Sequence, residues 1–186
     1  MDLRITAKDL VNNVYQGDVS EYTGSIYLEE NLGTVIFPKS ISCTGELIAG
    51  KGTGIQAGEG IQAGEGIQAG HGIKAGWGIQ AGWDIGAGWD IGAGDGIKAG
   101  WGIKAGHGIQ AGLAITAKGT IEAKQRILAG TCSWIEPTKE EMTISCSKLI
   151  SGKVVFGNLV ETGIKEEETP CEVTIKGITY ILVPKS

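Results

Sequence analysis

Residues 54–113 read GIQAGE (54–59), GIQAGE (60–65), GIQAGH (66–71), GIKAGW (72–77), GIQAGW (78–83), DIGAGW (84–89), DIGAGD (90–95), GIKAGW (96–101), GIKAGH (102–107) and GIQAGL (108–113). The period is six. Ile recurs at 13 positions from Ile55 to Ile127, and Ala follows each two residues later, from Ala57 to Ala129. Spacing of two within Ile-x-Ala puts both side chains on one side of a short strand and the residue between on the other. That middle residue is mostly polar. The Gly-x-Gly that follows breaks the strand, and glycine's tolerance of positive φ predicts that it turns the backbone there. A helix is excluded: six-residue spacing precesses around a helix, and two glycines per repeat would cost about 2 kcal/mol each time. The expectation is an all-β, parallel β-helix or solenoid built from six-residue repeats.

The stretch Ala57-Gly58-Glu59-Gly60-Ile61-Gln62 resembles the motif of the hexapeptide-repeat, left-handed parallel β-helix family, with Ala in its aliphatic slot and Ile in its small slot. The resemblance covers residues 55–130. Two cross-sections compete. A triangular coil takes three hexads per turn and gives a little over four coils at ~4.8 Å each. A flattened coil takes two hexads. The family resemblance favours the triangle.

The chain divides into an N-terminal capping segment (1–54), the hexapeptide-repeat solenoid (55–130) and a β-rich C-terminal capping or interaction segment (131–186). Solenoid ends need atypical coils to shield core and strand edges. In the first segment, 6–14 (TAKDLVNNV) suggests a short helix capped by Thr6, 25–28 and 34–37 alternate like strands, and 37–45 reads as an irregular first coil. In the last, 134–137 is a break. Strands are expected at 142–146, 153–156, 172–175 and 179–183, with Gly177 between the final two suiting a hairpin and 166–168 a charged loop.

Glycine makes up 32 of 186 residues, more than twice the usual ~7% share. With only 4 Pro, this is neither collagen nor a disordered tail. The net charge is −5, and the hexad zone is neutral, so the acidity sits in the flanks. Without a basic block, direct nucleic-acid binding is not expected. No run approaches the ~20 apolar residues of a membrane span. Cys43, Cys132, Cys146 and Cys171 form no C-x-x-C pair, which fits neither a zinc knuckle nor a disulfide scaffold. These features predict a soluble, cytoplasmic protein with reduced thiols and no cofactor.

The informative position is the turn residue: Glu59, Glu65, His71, Trp77, Trp83, Trp89, Asp95, Trp101, His107, Leu113. Four of the five Trp share it. Turn residues of a solenoid point outward, and exposed aromatics commonly mark an interface. They can equally fold over glycine and shield backbone. In a triangle, Trp77, Trp83 and Trp89 occupy three different corners and Trp101 lies one coil from Trp83. In a flat coil, Trp77, Trp89 and Trp101 form one ladder. His71 and His107 are weak general-base candidates. Hexapeptide acyltransferases, which the fold resembles, use a His near a protruding loop; these hexads run without insertion. The gamma-type carbonic anhydrases of the same family need three His around zinc, and this chain has two, six hexads apart. No metal site is expected. The outward Gln residues could stack their amides as a ladder.

No catalytic residues are therefore assigned. The function expected is a non-catalytic binding or scaffold protein, with Trp77, Trp83, Trp89 and Trp101 as partner-binding residues and another protein as partner. An inhibitor of a host macromolecule, as phage or mobile elements encode, is one concrete version, and self-association is a further expectation. The alternatives are an acyltransferase-like enzyme and a polymer-forming structural protein of the kind bactofilins resemble.

Overall fold

A computed structural model describes residues 2–163, 171–175 and 178–182. The chain is a parallel β-solenoid of about eight turns. One coil of the repeat zone is three hexads: Ile55 pairs with Ile73, Ile73 with Ile91, Ile91 with Ile109 and Ile109 with Ile127, all in parallel register. The triangle holds and the two-hexad coil is excluded. Each hexad supplies one three-residue strand of one face. The first face carries Ile67–Ala69, Ile85–Ala87 and Ile103–Ala105. The second carries Thr53–Ala57, Ile73–Ala75, Ile91–Ala93 and Ile109–Ala111. The third carries Ile61–Ala63, Ile79–Ala81, Ile97–Ala99 and Ile115–Ala117. Strand Thr120–Leu128 rounds one corner and joins the first two faces into a single sheet.

Ile and Ala of every hexad point inward and are 9% exposed or less, while the residue between them faces out. Each Ile therefore stacks on the Ile one coil away, and each Ala on an Ala. Cys43 and Cys146 close the Ala column of the third face at its two ends. Cys43 pairs with Ala63, and Cys146 ends the strand that pairs with Ile115–Ala117; both thiols are buried and free. A small, weakly polar side chain suits a slot sized for Ala.

The sheets run on well past the hexads. Leu3–Ile5, Ile26–Leu28 and Leu47–Ala49 continue the first face, Gly33–Phe37 the second and Ile41–Cys43 the third. Thr143–Cys146 and Asn158–Glu161 extend the third face at the other end. This is why eight turns exist where the hexads alone account for four. Early coils are longer than three hexads, since Leu47 pairs with Ile67 rather than with Glu65. The extra residues form the corner around Gly52, whose φ is +75°. There, buried Thr53 donates its hydroxyl to the Glu29 carbonyl at 2.6 Å and accepts the Leu32 N–H at 3.0 Å.

The helix expected over 6–14 is one 3-10 turn, Ala7–Asp9. Thr6 does cap it, and Asp9 reciprocates by accepting the Thr6 N–H at 2.8 Å. The rest becomes an antiparallel hairpin, Leu10–Val11 with Val14–Tyr15. Asn12 and Asn13 supply the positive φ of its turn, at 51° and 64°, a conformation Asn tolerates better than most residues. Cys171–Ile175 and Ile178–Leu182 pair antiparallel. The hairpin turn at Gly177 and the charged stretch 166–168 lie outside the described residues.

The repeat glycines are needed for a reason other than the one expected. None of those between Gly54 and Gly119 has positive φ. The first glycine of each Gly-x-Gly is required by close approach. A Cβ at Gly82 would sit 1.9 Å from the Gly64 carbonyl oxygen, and one at Gly100 would sit 1.7 Å from that of Gly82. The second glycine is less crowded but still close, from 3.0 Å at Gly54 and Gly102 to 3.6 Å at Gly66. The corners turn without left-handed backbone. Glycine is there because successive coils touch main chain to main chain.

Candidate functional site

Three columns of turn residues run along the three edges. Backbone hydrogen bonds tie each turn to the equivalent turn of the coil before it. On the edge between the second and third faces, Trp77 N–H donates to the Glu59 carbonyl at 3.1 Å, Asp95 to Trp77 at 3.2 Å and Leu113 to Asp95 at 3.2 Å. On the edge between the third and first, Trp83 donates to Glu65 and Trp101 to Trp83, both at 3.1 Å. On the edge between the first and second, His71 donates to Thr53 at 3.0 Å, Trp89 to His71 at 3.3 Å and His107 to Trp89 at 3.0 Å. The structure thus brings Trp83 and Trp101 together on one edge and sets Trp77 and Trp89 on the other two.

The glycine before each Trp pins its backbone against the previous coil. The indoles project outward, 51% to 67% exposed. The third edge carries a ring ladder. His71 stacks on Trp89 with centroids 4.3 Å apart and planes 18° from parallel, and His107 follows at 6.2 Å and 13°. The coil rise of ~4.8 Å sets this spacing. Two coils separate the histidines, with an indole between them. They cannot share one metal ion, whose Zn–N bonds are about 2 Å. Among the described residues no group of three or more His, Cys, Asp or Glu could hold a metal.

Two acidic residues of the hexads have a structural task. Asp84 Oδ1 accepts the Gly102 N–H at 2.8 Å, and Asp90 Oδ1 accepts the Gly108 N–H at 2.9 Å. Each carboxylate caps a corner N–H of the next coil. The second oxygen of Asp90 lies 3.8 Å from His107 Nδ1. The same two hexads, Asp84–Trp89 and Asp90–Asp95, place glycine at the outward strand position, Gly86 and Gly92. Around Gly92 a Cβ would meet nothing within 4 Å.

That gap opens a groove of about 590 Å³ across the second face. Its floor is Gln56, Lys74, Gly92 and Gln110, and the His71–Trp89 stack with Asp90 walls one side. At the opposite side Gly76 and Gly94 line it, and the Trp134 ring lies 3.6 Å from where a Gly94 Cβ would be. Trp134, in the break after the hexads, is a fifth exposed indole that the turn register could not reveal. The exchange of GI(Q/K)AG for DIGAG at 90–94 is the visible signal for the groove. A second groove, about 650 Å³, runs along the third face over Ser42, Gln62, Gln80, Lys98 and Thr116, with Ser20 and Glu21 at one end.

The amide ladder is not built. The three-hexad period sets Gln56 beside Lys74, Gln68 beside Gly86 and Gln110 beside Gly92. Only Gln62 and Gln80 face each other. Charge takes over part of the role: Lys104 Nζ meets Glu122 Oε2 at 2.8 Å. Burial pushes the Cys43 thiol up to about 11, with the Glu65 carboxylate a lesser cause. Burial likewise raises Cys146, helped by Glu161. Such protonated thiols are poor nucleophiles.

Compared with protein-family models, with curated proteins and with solved structures, the chain matches none. Fold and site define an all-β parallel solenoid that displays aromatic side chains along its edges. No helix among the described residues is long and apolar enough to cross a membrane.

Proposed function

We propose that the protein is a non-catalytic binding or scaffold protein of the hexapeptide-repeat type, which engages another protein through its Trp-bearing edges and the faces between them. One observation carries the reading: four turn indoles, at a register position that elsewhere carries Glu59, Glu65 or Asp95, stand half-exposed or more on a backbone locked coil to coil. Aromatic residues fixed on a rigid support bind at low entropic cost, because little side-chain or backbone freedom remains to be lost. The groove of the second face, lined by His71 and Trp89 on one side and by Gly94 on the other, with Trp134 beside Gly94, is a concave surface next to these indoles.

The test compares the intact protein with Trp89→Ala, with Trp83→Ala/Trp101→Ala and with Trp77→Ala in capture from host lysate, with photo-crosslinkers placed at the outward positions 74 and 104. A partner crosslinked by the intact protein and lost in one edge variant, with an unchanged melting temperature, supports the proposal and names the edge. Equal capture by all three variants, or no crosslinked partner, refutes it.

A further inference from the structure

The two ends of the solenoid differ. At the N-terminal end the innermost side chains are covered. Val35 and Phe37 are buried, Leu10 and Tyr15 of the Leu10–Val11/Val14–Tyr15 hairpin pack on them and their neighbours, and Tyr15 meets Phe37 with ring centroids 5.5 Å apart. Val14 pairs with Ile36, so that hairpin also occupies the edge of the sheet. The chain closes this end with a hairpin of its own.

At the other end no strand among the described residues follows the last side chains of the core columns. Ile121 is followed by Leu149 and Ile127 by Val154, in strand Lys148–Phe156, and Ile144 is followed by Leu159. Ile121, Ile127 and Ile144 are fully buried, whereas Leu149 and Val154 are only partly so and Leu159 is 39% exposed. Asn158–Glu161 is the terminal strand of its sheet, with one edge unpaired among the described residues. An apolar core end beside open strand edges is a site for further pairing.

A short connection after Gly163 leads to the second hairpin of the chain, which begins at Cys171. Its register pairs Cys171 with Leu182, Val173 with Tyr180 and Ile175 with Ile178. Every one of these six is apolar or aromatic, and the pairs between them, Glu172 with Ile181 and Thr174 with Thr179, are mostly polar. Alternation of this kind gives a hairpin one apolar face. Two five-residue strands measure ~17 Å by ~10 Å with side chains, and a six-residue side of the triangle is at most ~20 Å. Eight Cα–Cα steps from Gly163 reach ~26 Å, so the hairpin can lie anywhere over the open end.

We propose that the hairpin Cys171–Ile175/Ile178–Leu182 covers the open end of the solenoid core with its alternate apolar residues, as the first hairpin does at the opposite end. This stands apart from the partner reading, because no edge Trp is involved. It bears on the polymer alternative, since end-to-end stacking needs this surface free.

Hydrogen exchange read by mass spectrometry on the full-length protein tests it. Val173→Lys/Tyr180→Lys places charge in the apolar pairs, and Thr174→Lys/Thr179→Lys places the same charge in the polar ones. The first variant is expected to speed exchange in 148–161 about tenfold or more, with 61–99 unchanged; the second leaves both as they were. Protected exchange at 61–99 reports that the body of each variant is folded. Val173→Thr/Tyr180→Thr, which keeps strand propensity, gives the same result more weakly if the charged pair disturbs the hairpin itself. Equal effects of the two Lys pairs, or none from either, overturn the proposal. So does protection of 148–161 that falls on dilution together with the sedimenting mass, which would assign the cover to a second copy.

Discussion

Gly100→Ala is expected to be among the most damaging single-methyl additions in this protein, and Gly92→Ala among the mildest. The new Cβ at position 100 would lie 1.7 Å from the Gly82 carbonyl oxygen and 2.7 Å from its carbon. An ordinary carbon–oxygen contact is ~3.3 Å, so the two coils must part there by about 1.5 Å, nearly a third of the ~4.8 Å rise. The Gly100 N–H to Ala81 and Trp101 N–H to Trp83 hydrogen bonds, both 3.1 Å, then exceed any bonding distance. Two lost backbone bonds cost ~0.5–1.5 kcal/mol each. The accompanying strain in a packed core costs ~1–3 kcal/mol, and the entropic gain of replacing Gly by Ala offsets only ~0.4–1 kcal/mol. The net is a loss of about 3 kcal/mol, or a melting temperature lower by roughly 6–12 °C for a chain of this size. At Gly92 nothing lies within 4 Å, so only the entropic gain remains and the melting temperature holds or rises by roughly 1–3 °C. Thermal unfolding followed by far-ultraviolet circular dichroism reads both. If the two variants melt within about 2 °C of each other, close coil approach is not what demands the first glycine of the hexad.

Asp84→Gly and Asp90→Gly each remove the acceptor for a corner N–H, at 2.8 and 2.9 Å; each is expected to cost ~0.5–1.5 kcal/mol and to speed exchange at the Gly102 or Gly108 amide, while the Asn variants retain most of both. Ile97→Ala, in the middle of a column and 1% exposed, should cost ~2–5 kcal/mol by leaving a cavity, read as a shift in the urea midpoint. The Cys43 thiol, raised from its ordinary 9.0 to about 11, keeps its proton in the fold when the unfolded chain has lost it, so stability is full below pH 9 and falls as pH rises from about 9 to about 11. Cys43→Ala, which suits the slot, should flatten that fall in urea titrations across this range, and a fall unchanged in Cys43→Ala would show that another group causes it. In the folded protein at pH 8, Cys132 should react with a maleimide well before Cys43 or Cys146, both of which are buried and protonated.

The class of fold was legible because the hexad writes strand, corner and core into every repeat, and 13 registered Ile leave few other architectures. What stayed hidden depended on coil length. Residues 3–49 and 143–161 bury the same kind of column, with Leu, Val, Phe and Cys mixed among Ile and Ala. Their coils are not whole numbers of hexads, as the pairing of Ile26 with Leu47 and of Leu47 with Ile67 shows, so no count by six detects them. The amide ladder failed for a related reason. Neighbours in space are three hexads apart along the chain, and the run of Gln is dealt out to three different faces. Glycine misled in another way: composition shows that a residue without Cβ is needed, and only the distance to the next coil shows whether torsion or contact needs it.

The edges expose the logic of the site most clearly. A sequence period of one hexad against a coil of three assigns every third turn residue to one edge, so His71, Trp89 and His107, far apart in sequence, become one ring stack. A Trp at each successive turn, as at 77, 83 and 89, spreads one indole to each edge. Trp101 repeats the edge of Trp83, because it lies one full coil further on. Concentrating aromatic surface on one side therefore requires substitutions spaced by three hexads, and placing it all round requires substitutions spaced by one. This sequence does both within two coils, while the outward glycines at 86 and 92 lower the floor of the two faces that flank the His–Trp edge. Core columns and corner glycines require neither the indoles nor the lowered floor. Both are additions to a scaffold complete without them, and they occur in the same two coils, which is why the proposed binding surface is placed there.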